Sequence, residues 1–234
     1  MKLSPRLLTI SSQVTKGSIV ADIGTDHAYI PIYLVEKGIC PKVIATEIRE
    51  GPFERAKAEV QKRGYTDKIQ MRIGDGLKPL KAGEVDTVII AGMGGLNIIE
   101  ILSNSREKAI KINKFILQPM VAQKELRKYL ITHGYKIIDE ELCLEDDKFY
   151  EIIIASQGHQ DRWDDIWYEL GLRLFEKRHE LFEQFLDKKI STIDKIITGL
   201  EHGKSVYAEN KLKSLKHRRQ QYLEVKKCLQ KPRQ

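Results

Sequence analysis

The chain has no apolar run close to the ~18 residues that span a bilayer. Its opening stretch, MKLSPRLLTISSQVTKG, lacks both the apolar core and the small-residue cleavage site of a secretory signal. A cytoplasmic protein is the expectation. Cysteine is scarce: Cys40, Cys143 and Cys228 are odd in number, scattered and never in a C-x-x-C pair, which argues against a disulfide framework or a zinc cluster. His179-Glu-Leu-Phe-Glu183 puts a glutamate where the H-E-x-x-H metal motif needs its second histidine, so no metal is expected. Internal repeats and low-complexity segments are also missing, as is the G-x-G-x-x-G fingerprint that seats a pyrophosphate on a helix N-terminus.

What remains is a globular chain of 234 residues, 41% hydrophobic and 31% charged, long enough for one large domain and an appendage. Its net charge of +7 is unevenly placed. From Glu201 onward ten Lys or Arg face three acids, so residues 1–200 are balanced and the tail carries the whole excess. That asymmetry points to a polyanionic partner, nucleic acid ahead of membrane, because no large apolar face accompanies it. A solvated helix face is the plainer reading of the same residues. The candidate contacts are Arg6, Lys204, Lys211, Lys213, Lys216, Arg218, Arg219, Lys226 and Lys227.

The pattern is organised around Val20-Ala-Asp-Ile-Gly-Thr-Asp-His-Ala-Tyr29, an apolar strand that turns at once into helix-forming sequence. Further strands are predicted over 42–47, 68–73, 86–92 and 114–118, with helices over 3–14, 30–36, 51–63 and 123–133 and another after the Gly92-Met-Gly-Gly95 turn. Two more strands, 135–144 and 149–155, flank the acidic turn Glu145-Asp-Asp147. Alternating strand and helix closed by a hairpin predicts a doubly wound, Rossmann-like α/β domain over 1–156, mostly parallel with an antiparallel edge. Residues 157–234 are expected to form a helical domain. There, apolar residues from Trp163 to Leu200 predict one long helix of coiled-coil character. Glu201-His-Gly-Lys204 is read as a break, and a second helix as folding back in an antiparallel hairpin.

In such a sheet ligands bind at the carboxyl ends of the strands, where Asp22, Gly24, Glu47, Asp75 and Gly92 converge. A carboxylate ending the second strand suits a ribose diol, and Asp75 suits an adenine amino group. Carboxylates beside the first turn repel phosphate and suit the sulfonium and ammonium of S-adenosylmethionine. One strand-ending acid alone also serves as a cap or turn former; three at successive strand ends define a site. His27 fits either a general base or a packing role. Trp163 and Trp167, at helical spacing, fit a core better than a base-stacking platform.

Together, Leu3-Ser-Pro-Arg-Leu7, Asp22-Ile-Gly-Thr-Asp-His-Ala-Tyr29, Ala45-Thr-Glu47, Gly74-Asp-Gly76, Ala91-Gly-Met-Gly-Gly95 and Leu117-Gln-Pro-Met120 resemble the bacterial TrmK-type tRNA (adenine-22 N1)-methyltransferases over nearly the whole chain. Asp26-His27-Ala28, standing where the usual second and third glycines would be, is typical of that narrower family. The resemblance implies a class I methyltransferase sheet and methyl transfer from S-adenosyl-L-methionine to a tRNA adenine. It implies cofactor contacts at Asp22, Gly24, His27, Glu47, Ile48, Asp75, Gly76, Ala91, Gly92 and Met93. Asp26, His27, Tyr29, Met93, Gln118, Pro119 and Met120 would border the target base, and a monomer is favoured. The alternatives are a methyltransferase for another RNA base or ribosomal RNA, and a non-catalytic RNA-binding protein on the same fold. A NAD-dependent dehydrogenase is disfavoured by the missing glycine fingerprint.

Overall fold

The computed structural model describes residues 1–200 and 206–230, which divide into two compact units, 1–164 and 165–234. The first unit runs α1 (Pro5–Ser12), β1 (Val20–Ile23), α2 (Tyr29–Glu36), β2 (Val43–Glu47), α3 (Glu50–Lys62), β3 (Ile69–Ile73) and β4 (Thr87–Met93). It continues through α4 (Gly95–Asn104), α5 (Arg106–Ala109), β5 (Lys114–Pro119), α6 (Gln123–Thr132), β6 (Tyr135–Glu145) and β7 (Lys148–Gln157). The seven strands form one sheet in the order β3-β2-β1-β4-β5-β7-β6. The first five are parallel, with Val20 opposite both Val43 and Thr87, and β7 joins β5 and β6 antiparallel.

Every residue of β1 and β2 is buried. That is what continuous apolar strands do when helices cover both faces. Ile10, Ile32, Leu34, Ile89 and Ile116 are wholly enclosed around them. The reversal of order between β1 and β4 puts the switch point of the sheet beside the β1 turn. On the far side, Arg127 of α6 is completely buried, 2.6 Å from Glu140 of β6 and 2.7 Å from Glu151 of β7. This charged triad fastens the hairpin to the helix. Nothing in the local patterning of 123–155 announced it.

The second unit departs from expectation. The helix predicted from Trp163 to Leu200 is three: α7 (Asp165–Leu170), α8 (Leu172–Glu176) and α9 (Phe182–Leu200). Gly171 and Arg178 have φ of +83° and +51°, left-handed backbone that no continuous helix accommodates. Trp167 tilts over Phe175 at 4.8 Å within this cluster. His179 lies before α9, its ring Nδ1 accepting from the Leu181 N–H, so it does not share a helix with Glu183. Among the described residues no group of three or more His, Cys, Asp or Glu is gathered as a metal-ligand set.

Phe182, Phe185, Leu186, Ile190, Ile193 and Ile197 form the buried stripe of α9. The helix α10 (Val206–Leu229) runs antiparallel to it: Lys226 holds Asp187, and Arg219 holds Asp194. The break expected at Glu201 to Lys204 lies outside the described residues. No helix among those described is long and apolar enough to cross a membrane.

Candidate functional site

At the end of β1 the chain turns on Gly24, φ +74°. That left-handed backbone is what favours glycine here, and a Cβ would in addition displace the Met93 methyl, 2.3 Å away. The N–H groups of Gly24 and Thr25 both donate to the Thr46 carbonyl, at 2.8 and 3.0 Å. Amides that would cradle a pyrophosphate in a dinucleotide site are here spent on β2. Asp26 and Ala28 follow with φ of +46° and +55°, a conformation that costs about 1 kcal/mol for each such residue. The corner sets His27 against Tyr29, ring centroids 5.1 Å apart and planes within 16°.

Two buried carboxylates stand behind this corner. Asp22 Oδ2 accepts from Thr25 Oγ1 at 2.6 Å. Burial pushes the Asp22 carboxyl up to about 6 against the opposing Thr25 hydrogen bond, and the charge of Glu47 adds to the rise. Glu47 uses one oxygen, Oε1, to accept from the N–H groups of Ile48 and Arg49 at 3.1 and 3.0 Å. Its Oε2 has no partner among the described residues.

Over these strand ends lies a cleft with two joined lobes. The larger, about 620 Å³, is lined by Arg6, Asp22, Gly24, Asp26, His27, Tyr29, Glu47, Ala91 and Gly92. The smaller, about 220 Å³, is lined by Gly74, Asp75, Gly76, Ile101 and Asn104. Gly24, Ile48, Met93 and Asn97 border both. Asp75 Oδ2 already accepts from Lys78 Nζ at 2.7 Å, which leaves Oδ1 for a ligand. Gly76 has φ +53°, and a Cβ on it would press on Ile101 at 3.0 Å.

Gly92, φ +78°, sits at a register shift between Ala91 and Met93. Its N–H donates to Gln118 Oε1 at 3.2 Å, and Arg6 Nη1 donates to the same oxygen at 2.8 Å. Gln118 is wholly buried and its Nε2 donates to the Pro119 carbonyl at 3.0 Å. Its amide is therefore engaged at both ends, and neither Gln118 nor the buried Pro119 lines either lobe. Met120 is 46% exposed, outside the cleft lining. Arg6 also lies 5.4 Å above the Tyr150 ring, while its backbone N–H donates to Glu145 Oε2 at 2.7 Å. It belongs to the cleft wall, with further guanidinium donors left over.

A methyltransferase-domain family model matches residues 3–153. The curated tRNA (adenine(22)-N(1))-methyltransferase of Bacillus subtilis is 38% identical over 212 residues, 89% of this chain and 86% of that protein. The chain belongs to the TrmK-type tRNA (adenine-22 N1)-methyltransferase family. The solved B. subtilis m1A22 tRNA methyltransferase TrmK is similar to it with a TM-score of 0.86 and 34% identity, over 96% of this chain and 99% of that one. A Streptococcus pneumoniae protein solved in complex with S-adenosyl-L-methionine scores 0.85 at 32% identity, over 96% and 100%.

Seen as a member of the TrmK-type family, the chain has wall residues that the strand-end pattern did not disclose: Thr25, Arg49 and Asn97. Asn97 was within reach of sequence reasoning, being two residues into α4 after the glycine turn. Tyr150 and Glu145, which hold Arg6, come from a hairpin with no local signal of that role. The tail candidates divide. Arg218 pairs with Asp165 and Glu169, both at 3.1 Å, Arg219 with Asp194, and Lys226 with Asp187 and Glu183, all within the second unit. Lys216 also has an interaction partner, Lys211, Lys213 and Lys227 are exposed, and Lys204 lies outside the described residues.

Proposed function

We propose that this chain transfers the methyl group of S-adenosyl-L-methionine to N1 of adenine 22 in tRNA. The observation that carries the reading is the two-lobed cleft at the switch point, where Asp22 and Glu47 stand buried and the amides of the β1 turn are already satisfied. Such a site favours a cationic nucleoside and disfavours a pyrophosphate. The methyltransferase activity and the cofactor accord with family membership and with the S-adenosyl-L-methionine complex of the S. pneumoniae neighbour.

The residues fit the cofactor. Glu47 Oε2 is free to accept from a ribose diol, and Asp75 Oδ1 with Ile48 and Gly76 frames a purine in the smaller lobe. Asp22 gives an ammonium or sulfonium a negative neighbour. Arg6, held by Gln118, offers its remaining donors to the amino-acid carboxylate rather than to RNA. When bound, the cofactor supplies an electrophilic methyl carbon on a good leaving group. N1 of adenine carries a lone pair and no proton, so no general base is required. The protein's work is to align the base and exclude water. The target adenine must leave its stack to enter the larger lobe, where Met93 lines the wall. The methylated ring is a cation, and the Asp26 carboxylate at the mouth favours the charge that develops.

The exposed Lys211, Lys213 and Lys227 of the second unit are assigned to the tRNA backbone, where they position without reading sequence. We place the enzyme in the cytoplasm, with its substrate. The test is to incubate unmodified tRNA with the protein and cofactor carrying a labelled methyl, then digest and separate nucleosides. Labelled N1-methyladenosine is expected; label in another nucleoside, or none, overturns the reading.

A further inference from the structure

Beside the cleft lies a second groove, about 520 Å³, that shares Leu7, His27 and Tyr29 with it. Its side-chain cations are Lys2, Arg55 and Arg63. Glu59 in its wall holds Arg63 at 2.9 Å, and Asp26 lies 3.7 Å from Arg55. Arg55 and Asp26 are 58% and 55% exposed, a water-screened pair that yields readily to a competing phosphate. Lys2 has no ion-pair partner among the described residues. The parallel His27–Tyr29 stack stands at the boundary, with Tyr29 43% exposed. An exposed ring of this kind receives a nucleobase without regard to its identity.

From this arrangement we propose that the groove holds the RNA strand flanking the target adenine, with phosphates on Lys2, Arg55 and Arg63 and a neighbouring base on Tyr29. The inference rests on the methyltransferase reading and extends it. A base that enters the cleft brings its own two phosphates to the mouth, so the backbone must cross what borders it, and this border is basic and aromatic. An exposed aromatic stack flanked by cations favours a nucleic acid over a protein partner.

The experiment uses the full chain carrying Lys2→Gln, Arg55→Gln and Arg63→Gln, singly and combined. Affinity for unmodified tRNA is measured across salt, and affinity for S-adenosylhomocysteine is measured in parallel. Each lost phosphate contact should weaken tRNA binding about 5- to 10-fold at 0.1 M salt and lower the log–log salt slope by about 0.7–0.9. Cofactor-product affinity should hold at the wild-type value. Lys2→Gln changes an exposed side chain and tests the idea without risk to the fold. Wild-type tRNA affinity and salt slope in the combined variant would overturn the proposal, and so would a parallel fall in S-adenosylhomocysteine affinity. A wild-type protein that binds the cofactor product but labels no tRNA would instead defeat the substrate assignment, which separates the two failures.

Discussion

Asn in place of Asp22 should make the protein more stable and less able to bind its cofactor. Folding raises this carboxyl from 3.8 to about 6, chiefly by burial. The unfolded chain therefore releases the proton at lower pH than the native one. Above pH 6 the native state carries an ionised group in a poorly solvating place, and the penalty fades as pH falls through the native value toward the unfolded one. At about 1.4 kcal/mol per pH unit, the rise from 3.8 to about 6 amounts to roughly 3 kcal/mol at pH 7.5 and about half that at pH 5. Asparagine keeps an oxygen for Thr25 and sheds the charge. Asp22→Asn should raise the melting temperature at pH 7.5 by about 2–4 °C per kcal/mol, less at pH 5. Calorimetry should show the same variant losing S-adenosyl-L-methionine affinity, and the wild-type affinity weakening below pH 6 as the carboxyl is protonated. A variant no more stable than wild type at pH 7.5, or a gain that does not shrink with acid, would refute the reasoning.

Other substitutions probe the remaining contacts. Glu47→Gln weakens one charged acceptor of the ribose, so cofactor affinity measured by calorimetry should fall about 10- to 100-fold. Arg6→Met should lower affinity for S-adenosylhomocysteine by a similar factor while leaving its decarboxylated analogue bound as in wild type; equal losses for both would mean that Arg6 acts only through Gln118 and Gly92. Arg127→Met strands Glu140 and Glu151 in the interior and should cost about 3–5 kcal/mol in denaturant unfolding. Replacing all three members with apolar residues should recover most of it.

The sheet was largely legible in the sequence because parallel strands covered on both faces read as unbroken apolar runs. Here those runs end in Asp22, Glu47 or Gly92, and the alternating, partly exposed edge strand β3 leads into Asp75, all of them groups at the strand ends where the cleft lies. The hairpin was legible from its acidic turn, where Asp146 and Asp147 take positive φ. What escaped were features made by long-range contact. Gly171 sits among apolar residues whose spacing suits one helix, and its positive φ, which only the folded chain shows, ends α7 there. Gln118 read as a group facing the target base. Only with α1 folded onto the sheet does its amide prove to be engaged by Arg6, Gly92 and Pro119. Arg6 was legible as a cation but not as part of the cleft, because its neighbours Tyr150 and Glu145 lie more than a hundred residues away.

The measurement that bears most directly on the central claim compares a tRNA transcript carrying adenine at position 22 with one carrying guanine there, each given the protein and S-adenosyl-L-methionine labelled in the methyl group. The account predicts label in the first, recovered as N1-methyladenosine at position 22, and none in the second. Equal labelling of the two transcripts, or label recovered from any other position, would contradict it.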